Sequence, residues 1–307
     1  MGNIAKGISK KVAYRKESTW GTPAGPTGGK YLRRVTANFN LTKETYESAE
    51  IRTDLQISDF RHGVRSAEGS LNGELSPSAY ADFMQSVVAR DFSAGGTTTG
   101  ASLTIAVAGS FFTITRAAGS WLTDGFYVGN VVRLAGAGFN LANVANNLLV
   151  VSMSATVLTV RVLSGTPLVA EGPIAASGVS VAGKITYAPL TGHTDDSYTI
   201  EEWYADIAQS EVYTGNKVGT MSVQLPATGL VTCDFSFMGK NLEQKGTSQY
   251  FTTPTAAGTN GILASVSGAM VVNGQPVALI TSMDFSVERG LEAANVVGSN
   301  FAADVFT

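Results

Sequence analysis

The chain has 307 residues, with 21 Lys and Arg against 24 Asp and Glu, and a single cysteine. A chain of this length buries about three quarters of its unfolded surface, so it needs no covalent crosslink, and one cysteine excludes an internal disulfide framework. No apolar run approaches the roughly 20 residues of a membrane helix. No apolar stretch of signal-peptide length follows the basic N-terminal residues. We therefore expect a protein that is made and folded in the cytoplasm.

Charge is distributed unevenly along the chain. Residues 1–91 hold thirteen Lys and Arg against ten acids, residues 92–184 hold four against two, and residues 185–307 hold four against twelve. Subtraction gives net charges of +3 for the first segment and −8 for the last. If both segments are at the surface, copies of the protein would attract one another head to tail. A requirement for solubility alone explains the same imbalance equally well.

The first 65 residues divide into an arm, a strand and a loop. Residues 1–30 end in GTPAGPTGGK without periodicity, which predicts an N-terminal arm that is mobile until something holds it. Residues 31–41 alternate between apolar and polar side chains, which predicts a strand with Arg34 on its polar face. The charged stretch 42–65 predicts a long loop, either disordered or functional. We favour docking onto another subunit, because water would otherwise surround its apolar residues Tyr46, Ile51, Leu55, Ile57 and Phe60.

The segment Ser66–Ser76, SAEGSLNGELS, alternates without a break between small or apolar residues and polar ones. A period of two places the two kinds on opposite faces of a strand. Ser76-Pro77 then has the composition of a helix start, since Ser caps and Pro suits the first helical position. An apolar stripe with helical spacing follows, which predicts one amphipathic helix lying across the apolar face of the sheet. Its residues are Tyr80, Phe83, Met84, Val87 and Val88.

Residues 92–184 differ in kind, because they hold only six charges and several short strand-like runs separated by Gly, Ser and Asn. This pattern predicts an inserted small all-β domain, a closed barrel or a sandwich without helices. The predicted strands are Leu103–Val107, Phe111–Thr115, Val128–Leu134, Leu148–Met153 and Val157–Val162.

Amphipathic strands resume after the insertion. We predict strands at Lys184–Pro189, Tyr198–Asp206 and Met283–Glu288, a hairpin formed by Gly219–Leu225 and Leu230–Met238, and a tight turn at Asn273-Gly274. The fold class is therefore mainly β, with antiparallel sheets that are dry on one face and wet on the other. Together with Ser66–Ser76, these strands carry five acids on their wet faces: Glu68, Glu74, Asp234, Asp284 and Glu288. Lys and Arg are absent from the polar positions of these strands, and Arg34 on the first strand is the exception.

No catalytic constellation is apparent. Cys233 shares a face with Val231 and Phe235, which indicates a core residue rather than a nucleophile. His193 precedes Asp195 and Asp196 in a turn-like stretch, and we expect these side chains to be solvated, since no second His or thiolate completes a metal site nearby. His62 lies in the charged loop. We therefore expect no enzymatic activity, no cofactor and no metal.

The order of elements resembles the tail tube proteins of long-tailed bacteriophages. The residues that carry the resemblance are the basic arm, the strand, the charged loop ETYESAEIRTDLQISDFRHG, the alternating strand SAEGSLNGELS, the helix SPSAYADFMQSVVARDF and the late strands ending in SMDFSVERGLE. It covers residues 1–91 and 185–307, the expected tube domain. Residues 92–184 are similar to the accessory β domains that such proteins carry on the outside of the tail. Tube proteins of this kind usually continue with further strands beyond a point like Phe306.

The resemblance implies a structural protein of the virion tail, assembled in the cytoplasm of the host bacterium. Such proteins form hexameric rings that stack into a tube through which DNA passes without specific binding. Four strands from each of six subunits, at about 4.8 Å spacing and roughly 40° tilt, make a barrel about 48 Å across. The five acids would line the lumen. The expected partners are other copies of the chain and, at the tube ends, the tape measure, tail terminator and distal tail proteins, with no membrane.

A secreted adhesin or carbohydrate-binding module is the alternative, because the chain is rich in Gly, Thr and Ser. Such a module should show a secretion signal and clustered exposed aromatic residues. Trp20, Trp121 and Trp203 are far apart in sequence, which favours the tube.

Overall fold

The computed structural model describes residues 4–51, 53, 59–144, 146–183, 192–268, 270–272, 275–277 and 280–307. The chain forms two compact units. The first unit contains Met1–Asp91, Thr191–Gly268 and Ile280–Thr307, and the second contains Phe92–Leu190 and Ala269–Leu279. Both are built from antiparallel strands, which confirms the predicted mainly-β class.

Elements are numbered in chain order. Before the insertion they are β1 (Lys10–Lys16), β2 (Lys30–Tyr31), β3 (Thr36–Glu47), β4 (Phe60–Glu74) and α1 (Ala81–Val87). The second unit begins with β5 (Thr97–Ala108), β6 (Phe111–Arg116), β7 (Val131–Ala135), α2 (Leu141–Val144), β8 (Asn147–Met153), β9 (Val157–Ser164) and β10 (Glu171–Val181). The chain continues with β11 (Tyr198–Tyr204), β12 (Gln209–Pro226), β13 (Thr232–Gly239), β14 (Asn241–Gly246), β15 (Val271–Val272), β16 (Gln275–Pro276), β17 (Ser282–Glu288), β18 (Glu292–Ala294) and β19 (Asp304–Phe306).

The long strand β12 organises the first unit by belonging to two halves of one sheet. Its N-terminal half pairs with β11 and β14, and β11 continues to β1 and β2. Its C-terminal half pairs with β13 and β17, and β13 continues to β4 and β3. Gly215, whose φ of +70° lies in the left-handed region, lies between the halves. The five-stranded half, β3-β4-β13-β12-β17, holds one strand more than the four used in the sequence-based estimate of the barrel.

Helix α1 packs across the apolar face of this half, as predicted. The ring of Phe83 lies 5.7 Å from that of Phe235 and 5.2 Å from that of Phe237. The glycines of the alternating strand make room for aromatic neighbours. A Cβ at Gly69 would lie 2.1 Å from the Phe39 ring, and one at Gly73 would lie 1.9 Å from the Tyr80 hydroxyl. The small residues in SAEGSLNGELS are thus required by packing.

The helix begins later than predicted, at Ala81 rather than Pro77. The Ser76 hydroxyl accepts a hydrogen bond from Arg33 at 2.9 Å instead of capping the helix, and Ser78 adopts a left-handed φ of +66°. The hydroxyl that was expected to cap the helix is therefore bound by Arg33, 43 residues away in sequence. The buried stripe of Tyr80, Phe83 and Val87 is nevertheless present.

The prediction of a mobile arm over residues 1–30 is wrong for β1. This strand lies between β2 and β11, and the consecutive residues Val12, Ala13 and Tyr14 are all buried. A strand covered on both faces has no alternation, and for that reason the pattern KKVAYRK did not predict it.

The prediction of an irregular loop over residues 42–65 is also wrong in part. Strand β3 extends to Glu47 and β4 begins at Phe60, and the two pair from Thr36 opposite Asn72 to Glu47 opposite Phe60. In the described part of this segment, residues 42–47 and 60–62 are exposed on both faces of the strand pair, so it lacks a simple apolar alternation. Residues 52 and 54–58 lie outside the described residues.

The second unit is a closed barrel in the order β10-β5-β6-β9-β8-β7, which decides between the predicted barrel and sandwich. Its core includes Trp121, Phe126 and Ile114, each fully buried. The prediction missed β10 and the short helix α2. The unit also takes in Ala269–Leu279, which the sequence analysis assigned to the tube domain. The predicted strand at Lys184–Pro189 and the turn at Asn273-Gly274 lie outside the described residues, although β15 and β16 pair antiparallel on either side of that turn.

Candidate functional site

One side of the five-stranded half of the first unit is mostly polar, with Met238, opposite Glu68, as an apolar exception. Residues directly opposite in antiparallel strands lie on the same side of a sheet. Glu74 is opposite Thr232, Thr232 is opposite Gln224, and Gln224 is opposite Asp284, so these side chains form one row across the sheet. We call the whole set the polar face: Thr36, Asn38, Asn40, Glu68, Ser70, Asn72, Glu74, Thr220, Ser222, Gln224, Thr232, Asp234, Ser236, Asp284, Ser286 and Glu288.

All five acids singled out from the sequence lie on the polar face. Glu68, Asp284 and Glu288 are exposed, whereas Glu74 and Asp234 are partly buried. Neutral groups surround them. The Asn72 amide donates to Asp234 Oδ1 at 2.6 Å, and the hydroxyls of Thr220 and Ser236 are 2.6 Å apart.

None of the residues named for the polar face is Lys or Arg. Lys217 continues the row of Glu68 and Met238, but its side chain is only 1% exposed. The exception expected from sequence, Arg34, precedes β3, and its guanidinium donates to the backbone oxygens of Gly7 and Lys10. The face therefore displays carboxylates, amides and hydroxyls. Such a surface repels polyanions and offers them no cationic contact.

The two outer strands of this half are open along one edge. Among the described strands, β3 pairs only with β4 and β17 pairs only with β12. On β17 the predicted dry face is not buried in the subunit, since Met283 is 42% and Phe285 is 48% exposed. Open edges with exposed apolar side chains are templates for pairing with another chain.

The hairpin β3–β4 carries the residues predicted to dock on another subunit. Tyr46, Ile51 and Phe60 are 53%, 102% and 49% exposed, and Leu55 lies outside the described residues. The Tyr46 ring lies against Gly63, where a Cβ would be 2.4 Å from it, and the Tyr46 hydroxyl donates to Glu44 at 2.7 Å. Of the side chains that the structure describes there, Tyr46, Ile51 and Phe60 are thus not buried in a core within the subunit.

The family model for the phage tail tube protein matches residues 7–307. The chain belongs to the phage tail tube family. Curated proteins gave no match. The family is one of structural proteins of the virion tail that assemble into a tube and associate with other tail proteins, and the match spans the second unit as well as the first.

Sequence reasoning missed a buried cation of this tail tube protein. The Lys217 side chain is 1% exposed, and its ammonium lies 2.5 Å from Asp195 and 3.1 Å from Asp304. It also donates to the backbone oxygen of Val305. This cluster attaches β19 to the rest of the first unit. Its members are far apart in sequence, so no local pattern indicates it.

The expectation that Asp195 and Asp196 are merely solvated is wrong. Burial opposes ionisation of Asp195, but hydrogen bonds from Lys217 and Arg289 outweigh it and lower the pKa of its carboxyl. Asp196 is buried and forms an ion pair with Lys16 at 2.6 Å. His193 is exposed. These acids therefore have structural partners.

Cys233 is fully buried, in agreement with its interpretation as a core residue. Burial raises the pKa of its thiol to about 12. Within the described part of the chain, no group of three His, Cys, Asp or Glu side chains could hold a metal ion. No helix among the described residues is long and apolar enough to cross a membrane.

Proposed function

We propose that this tail tube protein assembles as stacked hexameric rings into a hollow tube, and that the polar face lines the channel through which viral DNA leaves the virion. The observation that carries the proposal is the gathering of Glu68, Glu74, Asp234, Asp284 and Glu288 on one face without an exposed Lys or Arg. A channel that must release DNA has to avoid cations, since each phosphate contact adds affinity.

Ring closure would satisfy the open edges of the sheet. Strand β17 of one subunit would pair with β3 of the next, which covers the exposed Met283 and Phe285 and removes both edges. If all five strands line the channel, a sixfold ring holds about 30 strands and a backbone barrel about 60 Å across at the same spacing and tilt. Side chains of about 5 Å on each side leave a bore of about 50 Å, wide enough for a hydrated duplex.

The second unit would lie outside the tube. It has its own closed barrel and its own core around Trp121, so it does not need the tube strands for stability. The tube ends would bind the tape measure, tail terminator and distal tail proteins, and assembly would occur in the host cytoplasm. No catalytic step is assigned to the chain.

Electron microscopy of the purified protein tests the proposal. We expect rings or hollow tubes with sixfold symmetry and a channel bounded by the polar face, formed spontaneously or with tail initiator proteins. A strictly monomeric species under both conditions, in microscopy and in light scattering, would rule it out.

A further inference from the structure

A lysine and a glutamate form a buried ion pair in the first unit. The ammonium of Lys10, at the start of β1, lies 2.8 Å from Oε1 of Glu202 on β11, and the two side chains are only 9% and 2% exposed. Lys10 faces the same side of β1 as Val12, and Glu202 the same side of β11 as Ile200. Val12 and Ile200 both belong to the hydrophobic core. The pair therefore adjoins the core of the unit.

The pair is expensive to keep ionised. Moving an ammonium and a carboxylate out of water carries a desolvation penalty for each ion. A second carboxylate makes the position of Glu202 worse, because Glu211 of β12 lies directly opposite it. Burial is the main cause that raises the pKa of the Glu202 carboxyl, the charge of Glu211 adds to it, and the hydrogen bond from Lys10 offsets it only in part. The neutral carboxylic acid is thus easier to form here than in water.

The two atoms that an amide between these side chains would retain already have further partners. Lys10 Nζ donates to the backbone oxygen of Ala37. The hydroxyl of Tyr204 donates to Oε2 of Glu202 at 2.9 Å. An amide keeps one N–H and one carbonyl oxygen, so both hydrogen bonds have a place in the product. The oxygen that has to leave is Oε1, which accepts from Lys10.

We propose that Lys10 and Glu202 condense into an intramolecular isopeptide bond. The ammonium first passes one proton to Oε1 along their hydrogen bond, which gives an amine and a carboxylic acid. The Nζ–Cδ bond then forms and the Cδ–Oε1 bond breaks. Oε1 departs as water, with that proton and a second proton from the nitrogen. Nothing is oxidised or reduced in this step.

The surroundings of the pair favour the condensation. The pairing of β1 with β11 holds the amine beside the carboxyl, and well-oriented intramolecular groups reach effective concentrations of about 10⁵ M or more. The Tyr204 hydroxyl points at Oε2, where negative charge develops when the amine adds. The amide has no charge, so its formation removes the penalty for burying two ions. Lys10 also lines a groove of about 900 Å³, through which the released water can leave.

The bond would fix the first strand of the sheet. It joins residues that are 192 positions apart in sequence and connects β1 covalently to β11. Strand β1 could then not be pulled out of the sheet by force on the N-terminal segment. The bond lies within a single chain, so it forms whether or not the copies assemble into a tube, and its test is independent of the proposed function.

The mass of the intact, denatured full-length protein tests the proposal. Condensation should make the chain about 18 Da lighter, one molecule of water, than its own sequence after N-terminal processing. Tandem mass spectrometry of a proteolytic digest should then identify a branched peptide that joins Lys10 to Glu202. An unchanged sequence mass, with the two residues in separate linear peptides, would overturn the proposal.

A variant at Lys10 distinguishes the amide from a simple ion pair. Lys10→Arg retains a cation beside Glu202 but removes the amine that would attack it, so this variant should have the full mass of its sequence. Lys30→Arg is the matched control at the more exposed ion pair with Asp82, 2.7 Å away, and should still lose about 18 Da.

The remaining outcomes also decide the question. A loss of water that persists in Lys10→Arg would come from elsewhere in the chain and would overturn the assignment. If Lys10→Arg does not fold, the branched peptide from the wild-type protein is sufficient, since its presence demonstrates the bond and its absence excludes it.

Discussion

Asn72 on β4 donates a hydrogen bond of 2.6 Å to Asp234 on β13, directly across the strand pair. An amide therefore holds this carboxylate in place, where a salt bridge would have cancelled its charge. On its other side Asp234 lies opposite Ser222 of β12, which is also a neutral residue. The polar face can thus be ordered and still remain anionic.

The glycines of β4 should tolerate no side chain. Gly73→Ala and Gly69→Ala should each lower the free energy of unfolding by about 1–3 kcal/mol, because the added Cβ meets Tyr80 or Phe39. Gly219→Ala, on β12 of the same sheet, is the control, because the added Cβ would find ordinary contacts from 3.4 Å. This substitution should change the free energy of unfolding by less than about 1 kcal/mol. Urea unfolding of the monomer measures all three. Equal stability of the three variants would contradict the packing of Phe39 and Tyr80 against β4.

Lys217 should anchor the C-terminal strand. Lys217→Met removes the cation between Asp195 and Asp304, and the free energy of unfolding should fall by about 1–3 kcal/mol. Amide hydrogen exchange in β19 should accelerate. Lys245→Met, at an exposed pair 3.5 Å from Glu211, should cost less than about 1 kcal/mol. Unchanged exchange in β19 would show that other contacts hold this strand.

The same cluster predicts a dependence on pH. The pKa of Asp195 is lower when the protein is folded than its ordinary value of 3.8, so its contribution to stability is complete above that value and is lost as the pH falls through the folded pKa. Stability measured from pH 5 downward should therefore fall less steeply in Lys217→Met than in wild type. Parallel curves would mean that Lys217 does not lower this pKa.

Cys233 should be unreactive in the folded protein. Burial raises the pKa of its thiol to about 12, so the folded thiol stays neutral well above the value of 9.0 for an exposed group. A thiol reagent at pH 8 should label the protein only after unfolding. Above about pH 9 the thiol of the unfolded chain ionises while that of the folded protein stays neutral, which favours unfolding. The contribution of Cys233 to stability is therefore complete below about pH 9 and declines as the pH rises towards 12. Rapid labelling of native protein would contradict the burial of this side chain.

The second unit should be dispensable for tube formation. Replacing residues 92–190 and 269–279 by short linkers removes the whole unit, including the β15–β16 strand pair that belongs to it. Tubes should then form with an unchanged bore and a smaller outer diameter in electron micrographs. A soluble, folded variant without tubes would show that this unit takes part in assembly.

Sequence alone predicted the strands that have one wet face. The period of two in Ser66–Ser76 and in β13 reports burial on one side only, so the acids of the polar face could be found. The period of two does not predict strands that are buried on both faces or that pair irregularly. Strand β1 is covered on both sides, and β10 contains register shifts between Glu171 and Val179 that break any alternation.

The common face of the acids could not be deduced from the alternating pattern. Glu74 and Asp284 are separated by 210 residues (284 − 74), and only the pairing of β4, β13, β12 and β17 places them in one row. The Lys217 cluster was invisible for the same reason, because its acids come from distant segments.

The central claim is that the acids of the polar face line a channel for DNA, and genome release tests it most directly. Glu68→Lys with Glu288→Lys changes two exposed acids and shifts the charge by about 24 per sixfold ring. Asp91→Lys with Glu292→Lys is the control at exposed acids outside the strands of that face. Both variants should assemble, since the apolar faces are untouched. Release after receptor triggering should be slow or incomplete in the first variant at low salt, should recover as salt screens the new cations, and should be normal in the control. Wild-type release by the first variant at both ionic strengths would mean that these acids do not face the DNA.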